Sequence, residues 1–213
     1  MGGQNEPMDA EAWNERYRDS ELVWSAGPNQ FVEAELSGLT PGRALDLAAG
    51  EGRNAIWMVE QGWSVVALDY SAVAVERMRS LAADRLGDDA DRLTPVVGDA
   101  TVAPPGDPDS YDLALLSYLQ LPADEWRSAM RAAVTAVRPG GRVVVVGHAG
   151  RNLDEGWGGP SDPAVLYDPD AVLDAAQGLP VTVEQSGIRE RPVDTDEGPR
   201  VALDTVVVMR REG

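Results

Sequence analysis

Three aspartates stand at or near the ends of apolar runs, and their surroundings define a chemistry. They are Asp46 in ALDLAAGEGRNA (44–55), Asp69 in SVVALDYS (64–71) and Asp99 in VVGDAT (96–101). In the first stretch Gly50, Gly52 and Ala55 fit the G-x-G-x-x-G/A turn that joins a strand to a helix. Glycines there let the backbone approach a ligand, and the helix start offers unpaired N–H groups to an anion, whether pyrophosphate or carboxylate. Asp46 narrows the choice. A carboxylate in an apolar strand is costly unless a cation or donors meet it. It would repel a pyrophosphate and favour an ammonium, so a ligand with both carboxylate and ammonium fits better than a dinucleotide. Asp69, 17 residues after Gly52, is placed to accept the hydroxyls of a ribose. Tyr70 can lie against a purine face. Asp99 can accept from the exocyclic amine of that purine, with the Ala100 N–H beside it. Ser117 and Tyr118 close a later apolar run and should line the same crevice.

The elements that must position these groups follow from periodicity. Residues 44–49, 64–69, 93–99 and 111–118 and the run RVVVVGHA read as five strands. The third is weakened by Pro95, which predicts pairing of its later part only. Helices are expected over 9–19, over 28–37 with Pro28 in the first turn, over 53–61, and from an Ser71 N-cap to Leu86. Others are expected over 122–137 and near 168–177. RPGG (138–141) reads as a turn, and residues 149–169 as a long loop. Residues 180–193 and 200–210 read as an antiparallel strand pair. Alternating strands and helices predict an α/β fold: a single doubly wound sheet, mainly parallel with an antiparallel C-terminal strand. Residues 1–39 are expected to form an N-terminal helical lid and residues 40–213 the sheet domain, with ligands at the carboxyl ends of the strands.

Composition excludes several classes of function. The chain has 213 residues, enough for one domain, with a net charge of −18 spread along its length. Such a surface disfavours nucleic acid and anionic membranes as partners. There is no cysteine, and one histidine, so neither a thiolate nucleophile nor a transition-metal site is expected. All 18 basic residues are arginine, which removes Schiff-base chemistry and leaves no obvious basic anchor for a phosphorylated substrate. No apolar run reaches ~18 residues, and the polar, acidic N-terminus is unlike a secretory signal. A cytoplasmic monomer or homodimer is the expectation.

With YDLALLSYLQL (111–121) and VRPGGRVVVV (137–146), these stretches resemble the ordered motifs of class I S-adenosylmethionine-dependent methyltransferases, across residues 40–150. The GEGRNA form, preceded by WNERYRDSELVWSAGPN (13–29), is similar to small-molecule enzymes of the tellurite-resistance and thiopurine methyltransferase type. The resemblance implies a Rossmann-like domain and S-adenosylmethionine as cofactor. It places Asp46, Gly50 and Gly52 at the methionine end, Asp69 at the ribose, and Asp99 and Ala100 at the adenine; Ala48, Asn54, Tyr70, Ser71 and Ser117 are further expected cofactor contacts. Ala48 replaces the usual first glycine of the turn, which is tolerable where its backbone is not left-handed. The acceptor is expected to be a small-molecule N, O or S nucleophile. His148 is the candidate base, and Arg53, Tyr118, Trp157, Trp13 and Tyr17 are candidate acceptor contacts; Trp24, Phe31 and Tyr167 are further aromatics of the lid and loop. Two alternatives remain: an NAD(P)-dependent oxidoreductase, from the glycine pattern, and a non-catalytic S-adenosylmethionine-binding protein.

Overall fold

A computed structural model describes residues 10–18 and 27–213. Residues 1–9 and 19–26, with Trp24, lie outside the described residues. Seven strands form one sheet: β1 (Arg43–Leu47), β2 (Ser64–Asp69), β3 (Leu93–Val97), β4 (Tyr111–Ser117), β5 (Val137–His148), β6 (Val181–Thr195) and β7 (Gly198–Arg211). Their order is β3-β2-β1-β4-β5-β7-β6. β1 to β5 pair in parallel, and β7 inserts antiparallel between β5 and β6. The antiparallel ending is thus a hairpin of two strands. β1 pairs with β2 on one side and β4 on the other, so the strand order reverses at β1. A crevice opens at such a point, outside the carboxyl ends of the strands.

The apolar runs form strands because helices cover both faces. The helices are α1 (Ala10–Arg18), α2 (Gln30–Leu36), α3 (Arg53–Glu60), α4 (Ala72–Leu86), α5 (Ala123–Ala136), α6 (Asn152–Glu155) and α7 (Pro169–Ala175). Alternate residues of β4 serve the two faces: Leu113 and Leu115 pack with Phe31, Ile56, Met58 and Met78, whereas Leu116 packs with Trp126 and Met130. Among the described residues no helix is long and apolar enough to cross a membrane.

Several boundaries differ from the sequence reading. β3 pairs along its whole length, Pro95 included, because it is the edge strand and the missing N–H faces no neighbour. Pro28 precedes α2 rather than opening it: Asn29 is the N-cap, its side chain accepting from Phe31 and Val32 N–H. RPGG is an irregularity inside β5, where the pairing jumps between Tyr111 and Leu113. The stretch 149–169 is not structureless. It holds α6 and a single 3₁₀ turn, and the Asn152 side chain fastens it by donating to Gly158 O and accepting from Leu203 N–H.

Candidate functional site

The β1–α3 turn is built on three left-handed residues, Ala48 (φ 59°), Gly50 (57°) and Gly52 (83°). The condition under which Ala48 would replace the usual glycine without strain is therefore not met: a side chain is held there at a cost of about 1 kcal/mol. Gly52 points away from the crevice and toward α4. A Cβ on it would stand 2.4 Å from Met78 Cγ, so this glycine sets how closely the turn packs on the helix.

A cleft opens beyond the ends of β1, β2, β3 and β4. It is lined by Ala48, Gly50, Arg53, Asn54, Asp69, Tyr70, Asp99, Ala100, Ser117 and Tyr118, and on its outer side by Trp13 and Tyr17 of α1. Each Asp69 oxygen accepts one backbone N–H, from Gly50 at 2.8 Å and from Ser71 at 2.9 Å. Burial still raises the pKa of Asp69, with those two bonds opposing it. One oxygen of Asp99, which lines the cleft, accepts from both the N–H and the hydroxyl of Thr101. Ser117 Oγ is buried with no hydrogen-bond partner.

Ser71 and Asp46 do not line this cleft. The Ser71 hydroxyl caps α4 by accepting from Ala74 N–H and donates to Asn14 Oδ1 at 2.7 Å. Its side chain therefore ties α1 onto α4. Asp46 is fully buried behind the turn, and neither carboxylate oxygen has a hydrogen-bond partner. Burial, and then the neighbouring Asp69, push its pKa up to about 8, with Arg53 pulling it back.

A second, larger cleft of about 700 Å³ adjoins the first across Trp13, Arg53, Tyr118 and Gln120. Three arginines that sequence separates, Arg16, Arg53 and Arg191, line it together with His148 and Trp157. The expectation that no basic cluster exists is corrected here. Trp157 is 42% exposed, with the Arg200 guanidinium 5.0 Å from its ring. Tyr167 is not a lid residue. It is core, donating its hydroxyl to Leu119 O and lying edge-on to Trp126. Phe31 is likewise buried in the core.

Tyr118 stands between the clefts. Its hydroxyl donates to Asp204 Oδ2 at 2.6 Å and accepts from Asn29 Nδ2 at 2.9 Å. The Arg53 and Arg191 guanidiniums lie 5.7 and 5.9 Å from its ring, and the His148 ring lies 4.7 Å away. Burial and the Asp204 charge raise the pKa of the phenol. Burial of Asp204 acts in the same direction, but His148, Arg191 and Tyr118 outweigh it and hold this carboxyl below its ordinary value. Asn29 N–H also donates to Asn54 Oδ1. Asn29, Arg191 and Asp204 escaped the sequence reading. The only signal was Asp204, an acid inside the alternating apolar run that ends the chain.

This topology, with its crevice at the reversal of strand order and an antiparallel β6–β7 hairpin, is that of the methyltransferase Rossmann-like folds. Residues 44–141 match the family described as methyltransferase domain. It is 37% identical over 103 residues to a demethylmenaquinone methyltransferase of Clavibacter sepedonicus, covering 48% of this chain and 40% of that protein. It is 32% identical over 134 residues to the one of Mycolicibacterium paratuberculosis, covering 61% and 54%. The chain spans about half the length of the curated relatives it matches. Among solved structures it is similar to one described as converting a disulfide bond into a thioacetal group during echinomycin biosynthesis. That similarity has a TM-score of 0.73 and 22% identity, over 95% of this chain and 92% of that one. It is also similar to the 1,6-didemethyltoxoflavin-N1-methyltransferase of Burkholderia thailandensis, solved with 1,6-didemethyltoxoflavin and S-adenosylhomocysteine. Here the TM-score is 0.67 and the identity 18%, over 96% and 87%.

Proposed function

We propose that this protein transfers a methyl group from S-adenosylmethionine to a small-molecule nucleophile at N, O or S. The observation that carries the reading is the first cleft: Asp69, already fixed by two backbone donors, and Asp99 both face it, and an unpartnered buried carboxylate, Asp46, lies behind its glycine turn. That set of acceptors fits a cationic amino-acid nucleoside. Asp69 would accept the ribose hydroxyls, and Asp99 with the Ala100 N–H would hold the adenine. The turn at Gly50 would take the carboxylate, and Asp46 would favour the positive charge from behind. When bound, S-adenosylmethionine supplies a methyl group already activated on a cationic sulfur. The chain's own task is then alignment and exclusion of water. α1, through Trp13 and Tyr17, closes the outer side of the cleft as the lid. The second cleft, with Arg53, Tyr118 and Trp157 on its walls, would take the acceptor, and His148 would accept its proton. The acceptor class is further supported by the resemblance of GEGRNA and residues 13–29 to the tellurite-resistance and thiopurine type.

The methyltransferase-domain match and Asp46 tell against a nicotinamide cofactor. Calorimetry tests the reading directly. S-adenosylhomocysteine should bind and NADH should not. Asp69→Ala, which removes hydrogen bonds to a charged acceptor worth about 1.5–3 kcal/mol, should weaken binding roughly tenfold or more. Binding of NADH alone, or an affinity unmoved by Asp69→Ala, would overturn it.

A further inference from the structure

His148 ends β5 and Asp204 lies directly across from it on β7. The Asp204 side chain is completely buried, and its two oxygens have different surroundings. Oδ2 accepts from the Tyr118 hydroxyl and from Arg191 Nε, both at 2.6 Å. Oδ1 has no such donor. It lies 3.2 Å from His148 Nδ1, a hydrogen-bond distance with an imperfect angle. A carboxylate needed only to neutralise Arg191 would be served by Oδ2 alone.

The imidazole is held as firmly as the acid. The Tyr118 ring packs against it with 4.7 Å between centroids and planes at 58°. Gly159 lies so close that a Cβ there would come within 3.1 Å of three ring atoms. Nδ1 is buried, no described residue hydrogen-bonds Nε2, and the ring borders the second cleft. The other charged or titratable groups around it are Arg191 on β6, Tyr118 just after β4, Arg53 on α3 and Asp162 in the loop that precedes the 3₁₀ turn.

We propose that Asp204 is a positioning residue that keeps the proton of the neutral His148 imidazole on Nδ1, leaving Nε2 unprotonated toward the second cleft. The other tautomer would set the Nδ1 lone pair against a carboxylate in a dry site, where repulsion is strong. In this arrangement Nε2 takes the proton from an acceptor N–H, O–H or S–H, and the imidazolium that forms is met by Asp204. The inference rests on the second cleft being the acceptor site, but its test needs neither cofactor nor acceptor.

His148 is the only histidine in the chain, so a long-range ¹H–¹⁵N correlation spectrum of the labelled protein contains one imidazole. At alkaline pH the wild type should show mainly the Nδ1–H tautomer. Asp204→Asn should invert the populations to mainly Nε2–H, the form preferred by a free histidine side chain. Tyr118→Phe leaves Oδ1 facing Nδ1 and should keep the wild-type tautomer. The proposal is overturned by Nε2–H in the wild type, by an Asp204→Asn spectrum like the wild type's, or by a switch in Tyr118→Phe. Where Asp204→Asn does not fold, the wild-type tautomer decides. A failure of cofactor binding changes none of these spectra.

Discussion

Replacing Asp46 by asparagine should change the pH dependence of stability more than any other conservative substitution near the site. In the unfolded chain the carboxyl titrates near 3.8; in the fold, burial and Asp69 push it up to about 8. Between those values the folded state holds a proton that the unfolded state has released, so folding takes up a proton there. Stability from this group is therefore fully present below 3.8 and is lost as pH rises toward 8, at about 1.4 kcal/mol per pH unit. From pH 5 to pH 7 the loss is on the order of 2.7 kcal/mol. Asparagine has nearly the same shape and does not titrate. The quantity to measure is the stability of the wild type minus that of Asp46→Asn, by denaturant unfolding without ligand at both pH values. It should fall by about 2–3 kcal/mol between them. Unfolding free energies that run parallel with pH would refute the reasoning. They would show that the Asp46 carboxylate is already compensated in the native state.

Two further outcomes follow from the same geometry. Gly52→Ala should cost about 3 kcal/mol, because it combines a left-handed backbone with a methyl group driven into Met78; Met78→Ala in the same chain should recover part of this in thermal or denaturant unfolding, and full additivity would sink the packing explanation. Binding of S-adenosylmethionine near pH 7 should release a fraction of a proton, since a bound cation lowers the raised pKa of Asp46. The calorimetric heat should then vary with buffer ionisation enthalpy in the wild type and less in Asp46→Asn, and a heat independent of buffer in both refutes it.

What sequence disclosed, and what it hid, divides by contact range. β2 and α4 have the expected bounds because Asp69, Ser71 and Gly87 mark their ends locally. The residues of the first cleft were within reach for the same reason: each follows its own strand, and a parallel sheet brings strand ends together without further information. The second cleft is different. Tyr118 and Asp204 are 86 residues apart, and Asn29 and Tyr118 are 89 apart. Their meeting depends on β7 inserting between β5 and β6 in one register, with His148 opposite Asp204. Nothing local specifies that register. Ser71 shows the opposite limit. Its type and place suit a ligand contact, yet its hydroxyl proton goes to Asn14 and its oxygen accepts from Ala74 N–H to cap α4.

Tyr118 joins these two kinds of information. It is a bulky residue with φ at 56°, a conformation costing about 1–3 kcal/mol that persists only when surroundings over-determine it. The surroundings here are specific: Asn29 and Asp204 grip the hydroxyl, and the ring touches both clefts. From Asn54 at the first cleft the hydrogen bonds run through Asn29 and Tyr118 to Asp204, whose other oxygen meets His148. The strain is thus the local cost of a partition between the two clefts, with one set of buried hydrogen bonds fixing the geometry of both.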